Sequence, residues 1–388
     1  MKANREWIIK GVALVVWAVI LVFAGVAFAQ HRQYKETVVL GPGVTEVKTL
    51  SDYYPPLKGS VNDCNIYILD SGTPGGNLLV IAAVHAEEPA TNLAAQVLVE
   101  NALPTQGRIL VAIHQNRSAS TVTRPGDAYP QFFTIPTDWG EMKFRMGDRW
   151  ANPLDSWPDP ETYVHYPSGQ LLAYMDVRNM NRTWPGRPNG SLAERTAYAF
   201  MQLIDAEQVD LTIDLHEAEL EYPIIGTIVA HQNATNVAAM TSMILTSQEF
   251  DIGMEISPLA LHGLSHREIG DYSGSPALLL EAPEPFLDRV RGITDEALLL
   301  TGKDEFVMKA GAAGLLYWPI DENGWPIDVR VARHVRTMEK ITEMWTRFHK
   351  DLPMVVTGLP GYQELIDNSL GHYFIDPSTV PADRLAYE

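Results

Sequence analysis

An α/β fold built on a largely parallel or mixed sheet, preceded by an apolar N-terminal helix, is what this 388-residue chain predicts. Short apolar runs of strand length alternate with longer amphipathic stretches of helical period, the pattern of a sheet covered by helices. The composition agrees: 46% hydrophobic and 20% charged residues, with 28 Gly and 26 Pro spread along the chain, fit one large or two modest globular domains. Disorder, collagen and coiled coil are excluded, and no internal repeat or low-complexity tract is found.

Lys2, Arg5 and Lys10 precede an uncharged apolar run from Gly11 to Ala29. The run is near the roughly 20 residues that a helix needs to cross a bilayer. It also ends in Ala27-Phe28-Ala29 before Gln30, a small-x-small pattern suited to signal peptidase. A cleaved signal peptide over 1–29 and an uncleaved membrane anchor both fit. Either puts the remainder on the exported side, periplasmic or extracellular.

Residues 30–60 read as a polar connector. Apolar strand candidates follow at 64–70, 77–84, 108–114, 210–216, 224–230 and 277–283. Between them lie helix candidates, with Leu93, Val97 and Leu98 striped over 89–102, and Tyr198, Met201 and Ile204 over 193–208. A third stripe, Val335, Met338, Ile341 and Trp345, marks 329–350. All three read as core packing. From about 120 to 179 the periodicity disappears and Pro, Gly, Asp, Trp and Tyr dominate, as in a functional loop or lid inserted into a domain spanning 61–350. Residues 351–388 read as a peripheral tail.

With 29 basic against 48 acidic residues the chain carries a formal charge of −19, which excludes wrapping a nucleic-acid backbone as its main role. Without residues 1–29 the balance is 26 to 47, a charge of −21. The single cysteine, Cys64, excludes an intrachain disulfide framework and a cysteine-ligated structural zinc.

Three strand ends carry chemistry. VIAAVHAEEP runs a buried strand into His85 and, three residues later, Glu88, an imidazole and a carboxylate suited to Zn²⁺. TIDLHEAE ends in His216 two residues after Asp214; two histidines at strand C-termini stand where open α/β sheets build their sites. A His, a Glu and a second His would leave the open position of a catalytic zinc. His216 and Glu219 repeat the HxxE spacing, so the spacing alone is weak. SPALLLEAPEP delivers Glu281, which partial desolvation would suit to general-base work. In MDVRNMNRTWPGRP, Asn181 and Arg182 are equipped to grip a carboxylate at two points. Singly, each has a bland reading as a cap, a satisfied strand-end histidine or a surface arginine.

In this order, His85-x-x-Glu88, Asn181-Arg182-x-x-Pro185-Gly186, Asp214-Leu215-His216 and Glu281 resemble the zinc carboxypeptidase-like hydrolases, and within them the succinylglutamate desuccinylase and aspartoacylase branch. The resemblance spans about 77–283. It implies a central mixed β-sheet flanked by helices, one zinc per chain held by His85, Glu88 and His216, and Glu281 as general base and proton shuttle. It makes Asn181 and Arg182 the grip on a substrate carboxylate and Glu219 a coincidental match. An arginine upstream of that pair polarises the carbonyl in the family; Arg117 and Arg124 are available, and Arg124 is favoured by its distance past Asn116. Tyr272 is the nearest counterpart of a substrate-contacting tyrosine before the base, at a spacing that is short.

The implied activity is zinc-dependent amide hydrolysis of an N-acyl amino acid, a small-molecule or peptide substrate carrying a carboxylate. The chain departs from that branch after residue 284, where helices replace the expected β-rich domain, and in its insertion, whose Trp139, Trp150 and Trp157 are candidates to wall the cleft. Trimming of peptides or cell-wall peptides as a carboxypeptidase is therefore an alternative. So, from another class, is an inactive exported binding protein on the same fold. A serine hydrolase is disfavoured because the chain lacks a GxSxG elbow.

Overall fold

The computed structural model describes residues 2–123, 130–287, 292 and 294–388. It divides into two compact units, 1–35 and 36–388. The first is helix α1 (Lys2–Gln33), whose stretch Arg5–Gln33 is long and apolar enough to cross a membrane and presents its apolar side chains openly, Trp7, Leu14 and Phe23 each more than 70% exposed.

The second unit starts with β1 (Thr37–Val39), β2 (Val44–Thr49), β3 (Asn65–Asp70), β4 (Asn77–Ile81), α2 (Pro89–Asn101), β5 (Leu103–Gln106) and β6 (Arg108–Ala112). The insertion holds α3 (Arg117–Ser120), β7 (Phe132–Thr137), β8 (Gly140–Arg145), α4 (Pro153–Ser156), β9 (Tyr163–Val164) and β10 (Leu171–Leu172). Then come α5 (Leu192–Ala206), β11 (Leu211–Glu219), β12 (Thr227–Ala230), α6 (Thr235–Gln248), β13 (Gly253–Ile256), α7 (Ser265–Tyr272) and β14 (Ala277–Glu284). The chain closes with α8 (Glu296–Thr301), α9 (Glu305–Ala312), α10 (Ile327–Phe348), β15 (Val355–Thr357), α11 (Tyr362–Asn368) and β16 (Leu385–Tyr387).

Eight strands form the central sheet in the order β13-β12-β14-β11-β4-β6-β3-β2. The four inner strands β14, β11, β4 and β6 are parallel to one another, while β12 runs against β14 and β3 against both β6 and β2. The sheet is therefore mixed, with parallel strands at its centre. Strand periodicity splits the core in two. Leu78, Val80, Ile213, Leu215, Leu278 and Leu280 join α2, α6 and α10 on one face; Leu79, Ile81, Ala277 and the α5 residues Ala197 and Phe200 pack on the other. Covered on both faces, β11 is buried along nearly its whole length, although Thr212, Asp214 and His216 alternate with Leu211, Ile213 and Leu215 in its sequence.

Three segments differ from expectation. The connector contributes β2 to the sheet edge, and β1 pairs with β16, so residues 37–49 and the final strand belong to the body. β15 likewise pairs with β5. These strands have three to six residues, too short for their alternation to stand out. The insertion is not irregular throughout: β7 and β8 form a hairpin whose Phe133, Ile135, Met142 and Phe144 join the larger core, with Phe144 against Phe374.

One buried carboxylate ties that hairpin to the body. Glu36 lies at 1% exposure, its Oε1 accepting the Arg145 N–H at 2.8 Å and its Oε2 standing 2.8 Å from His114 Nε2. Burial by itself raises its pKa, but His114 and Arg145 together bring the carboxyl down to about 2. A group whose folded pKa is lowered adds stability above its unfolded value of about 4.3 and loses it as pH falls toward the folded one. Glu36→Gln should therefore destabilise the protein by about 3 kcal/mol at pH 7. In denaturant titrations of both proteins the gap should narrow between pH 4.5 and 2; a gap independent of pH would contradict this role.

Candidate metal centre

The parallel strands β4, β11 and β14 end on the same edge of the sheet, and the α5 and α7 face of that edge collects the polar residues. After β4 the chain is held to its neighbour by Ala82 N to Ala112 O at 3.0 Å and Gln115 N to Ala82 O at 2.9 Å. Ala83 turns out of the strand in the left-handed region, φ 51°. His85 follows, and Glu88 occupies the position before Pro89 opens α2, where a proline fits because the first helical N–H has no partner to lose. On β11, Asp214 and His216 share one face, and His216 lies in register with Glu281 of β14.

His85, Glu88 and His216 converge: one donor atom from each lies within 4.8 Å of the others, and all three are buried. Glu88 stands between the rings, Oε1 2.6 Å from His85 Nδ1 and Oε2 3.1 Å from His216 Nδ1. The ring centroids are 5.0 Å apart. The outer nitrogens are pinned as well. His85 Nε2 is 3.0 Å from Asn179 Oδ1, an oxygen that also accepts the Asn181 N–H at 3.1 Å. His216 Nε2 is 3.1 Å from Asp214 Oδ2, whose carboxylate also accepts from Gln115 Nε2 at 2.8 Å and from Ser265 Oγ.

Those partners decide what the centre can hold. Because Asn179 Oδ1 is fixed as an acceptor, His85 Nε2 must carry the proton and Nδ1 presents its lone pair to a carboxylate oxygen at 2.6 Å. Burial, with Arg149 and His216 adding to it, lowers His85 to about 4, so no proton relieves that contact near neutrality. His216 is raised well above its ordinary value, because Asp214 and Glu88 outweigh the burial that disfavours its charge. Glu88 is held below the carboxylate range despite its own burial, by His85 and His216. A cation would displace the His216 proton that now faces Glu88, and two imidazole nitrogens with a carboxylate oxygen, each histidine backed by an outer oxygen acceptor, fit zinc.

Glu281 lies half-buried beside this group with Oε2 unpartnered. Burial pushes its carboxyl up to about 8; His216 opposes the rise and Glu88 adds to it. Asn181 is buried with Nδ2 3.4 Å from His216 Nε2, and its Oδ1 accepts the Ser265 N–H at 2.9 Å. Arg182 donates to the Asn181 carbonyl at 2.7 Å; burial and the neighbouring charge of Arg149 lower its pKa.

Arg149 is the residue that sequence reasoning missed. Ala86 N donates to Asp148 O at 3.0 Å and Gly147 N to Ala86 O at 3.3 Å, so the insertion doubles back against the ligand loop. Glycine is required there: a Cβ on Gly147 would fall 2.5 Å from Ala86 Cβ and 2.6 Å from Ala119 O. Arg149 then stands among Glu87, Glu88, Glu219 and Glu281, which raise its pKa although burial works against the charge. A lone arginine in a segment without periodicity carries no signal of this placement. Asn179 was as hard to see, being one more polar residue two positions before Asn181.

Other expected residues stand elsewhere. Arg124 lies outside the described residues. Arg117 donates to Asp63 O at 3.4 Å with its Nε 3.9 Å from Glu388, away from the centre. Tyr272 is 52% exposed at the last position of α7, seven residues or roughly 10 Å of helix beyond Ser265. It lines a surface cavity of about 460 Å³ with Asp210 and Gly274, at the opposite strand ends. The short spacing to Glu281 put it on the wrong end of its helix. The tryptophans do not form one wall: Trp139 donates to Phe374 O at 3.1 Å and Trp157 is 76% exposed, leaving Trp150 next to Arg149.

No protein-family model matches the chain, and no curated protein matches it. Among solved structures it is similar to a metallo-carboxypeptidase from Burkholderia cenocepacia, at 14% identity and TM-score 0.42 over 83% of this chain and 68% of that one. It is also similar to an aspartoacylase family protein from Mesorhizobium loti, at 18% identity and TM-score 0.34 over 56% of this chain and 55% of the other. A succinylglutamate desuccinylase from Silicibacter matches at 15% identity and TM-score 0.33, over 56% and 53%. The chain thus spans about half the length of the latter two. At these identities and scores the likeness assigns no activity.

The outer hydrogen bonds give a direct test. Asn179→Ala should fold normally and lower affinity for Zn²⁺ about 10- to 100-fold in competition with a chelating dye; unchanged affinity would remove Asn179 from the centre.

Proposed function

We propose that the protein is a metal-dependent amide hydrolase on the exported side of a membrane, releasing an amino acid that carries a free carboxylate. The observation that carries this reading is the Glu88 carboxylate placed between two imidazole Nδ1 atoms whose outer nitrogens are already engaged. A cation held by His85, Glu88 and His216, zinc by its donor set, would supply the Lewis acidity that activates water and polarises a carbonyl.

The chain's own groups do the rest. Glu281, whose carboxyl burial raises to about 8 and a cation beside it would draw back toward neutrality, takes a proton from water and returns it to the leaving amine. Arg149, close to Glu281 and Glu88, faces the negative charge that develops on the carbonyl oxygen. Asn181 and Arg182 hold the substrate carboxylate, a task that a planar guanidinium performs at two points. Around a protein of net charge −19 these arginines form the local positive spot that an anionic substrate needs.

The acyl part is either a small acid, as in an N-acyl amino acid deacylase, or a peptide, as in a carboxypeptidase. The second reading is favoured by the region after residue 284. Among the described residues it holds four α-helices and two short strands, each paired only with β5 or β1 in a two-stranded sheet, and so no β-rich domain.

Glu281→Gln should retain Zn²⁺ and lose about 10²- to 10⁴-fold in kcat; near-normal turnover would eliminate it as the base. Arg149→Met should cost about 10²- to 10³-fold in kcat with metal content unchanged. A comparison of N-acyl amino acids with peptides, each as free acid and as C-terminal amide, assigns the acyl part. Hydrolysis of the amides at the rate of the acids would refute the carboxylate grip.

A further inference from the structure

We infer that the chain holds a second divalent cation, of the zinc type, on His165, His262 and Glu268. One donor atom from each lies within 4.8 Å of the others, and the group shares no residue with the first centre. Donors on one tetrahedral zinc stand roughly 3.4 Å apart, so the side chains close on an ion by adjustments of about 1 Å.

The pattern repeats that of the first centre. His165 is buried, and its Nε2 lies 2.6 Å from the Trp184 carbonyl oxygen, a contact that only an N–H satisfies. Its Nδ1 therefore carries a lone pair, with Ser168 Oγ 2.7 Å away. Glu268 is fully buried; Oε1 lies 2.9 Å from His262 Nδ1 and accepts the Gly263 N–H at 2.8 Å, while Oε2 has no partner at all. A dry carboxylate oxygen without a donor is costly, and a cation would satisfy it. The His262 side chain is 30% exposed, which gives an ion its way in.

The position suggests what the ion would do. His165 and Ser168 belong to the β9–β10 hairpin of the insertion, and His262 and Glu268 to the approach and first turns of α7. The strand of chain bearing Arg182 passes between them. Tyr163 Oη donates to Arg182 O at 3.2 Å, and Trp184 N donates to Gly263 O at 3.3 Å. Gly263 approaches so closely that a Cβ would fall 2.3 Å from Arg182 O. An ion here ties the hairpin to α7 around the main chain of the carboxylate grip, with three protein donors and its fourth position open to water beside the partly exposed His262. The inference stands apart from the amide-hydrolase reading.

The test is Zn²⁺ stoichiometry, by titration calorimetry and elemental analysis, on the chelator-stripped full chain. Wild type should bind two equivalents. Glu88→Gln should keep one, and adding His262→Ala to it should remove that one. A single wild-type equivalent that survives His262→Ala, or none in a folded Glu88→Gln chain, overturns the second site. Failure of the first centre alone would read differently, as a single equivalent lost on His262→Ala and untouched by Glu88→Gln.

Discussion

The shared carboxylate of Glu88 is the constraint around which the rest of the molecule is arranged. A buried anion wedged between two imidazoles is tolerable only with positive charge to balance it, and each surrounding element supplies or fixes part of that balance. β11 carries both the ring of His216 and the Asp214 that orients it. The insertion returns with Asn179 for the other ring, and α7 contributes Ser265 to Asp214 and Asn181 alike. Four parallel strands at the centre of the sheet are what allow residues 85, 216 and 281 to meet at one edge.

The legible part of this design is the part with a period. The inner strands, α2, α5 and α10 follow apolar patterns long enough to read, and the structure keeps them within a few residues of the sequence reading. His85, Glu88, His216 and Glu281 were visible because each sits where such a pattern stops. Edge strands of three to six residues were not, since so short a run does not distinguish strand from loop. Tyr272 shows the limit from another side: proximity in sequence to Glu281 says nothing about which end of α7 a residue occupies. Arg149 and Asn179 come from a segment whose folding is dictated by tertiary hydrogen bonds, and only the folded chain brings them to the centre.

The insertion is best regarded as three pieces with different duties. The β7–β8 hairpin adds hydrophobic core beside Phe374 and is pinned by Glu36. The turn at 146–149 serves the ligand loop, and the β9–β10 hairpin braces the main chain of Arg182. A stretch that reads as a single lid is thus distributed over the core, the loop that carries His85 and the main chain of Arg182. Its lack of periodicity follows, because no single face of it meets a single partner.

The close packing of Gly147 on Ala86 has a mechanical consequence. Two main-chain hydrogen bonds join the strap to the ligand loop with no room for a side chain between them, so the two pieces of backbone move as one body. Any shift of His85 that accompanies capture of an ion is handed on to the guanidinium two residues past that glycine. The arginine is then no independent gate. In the proposed mechanism its position would follow the occupancy of that centre, and the oxyanion contact would follow with it.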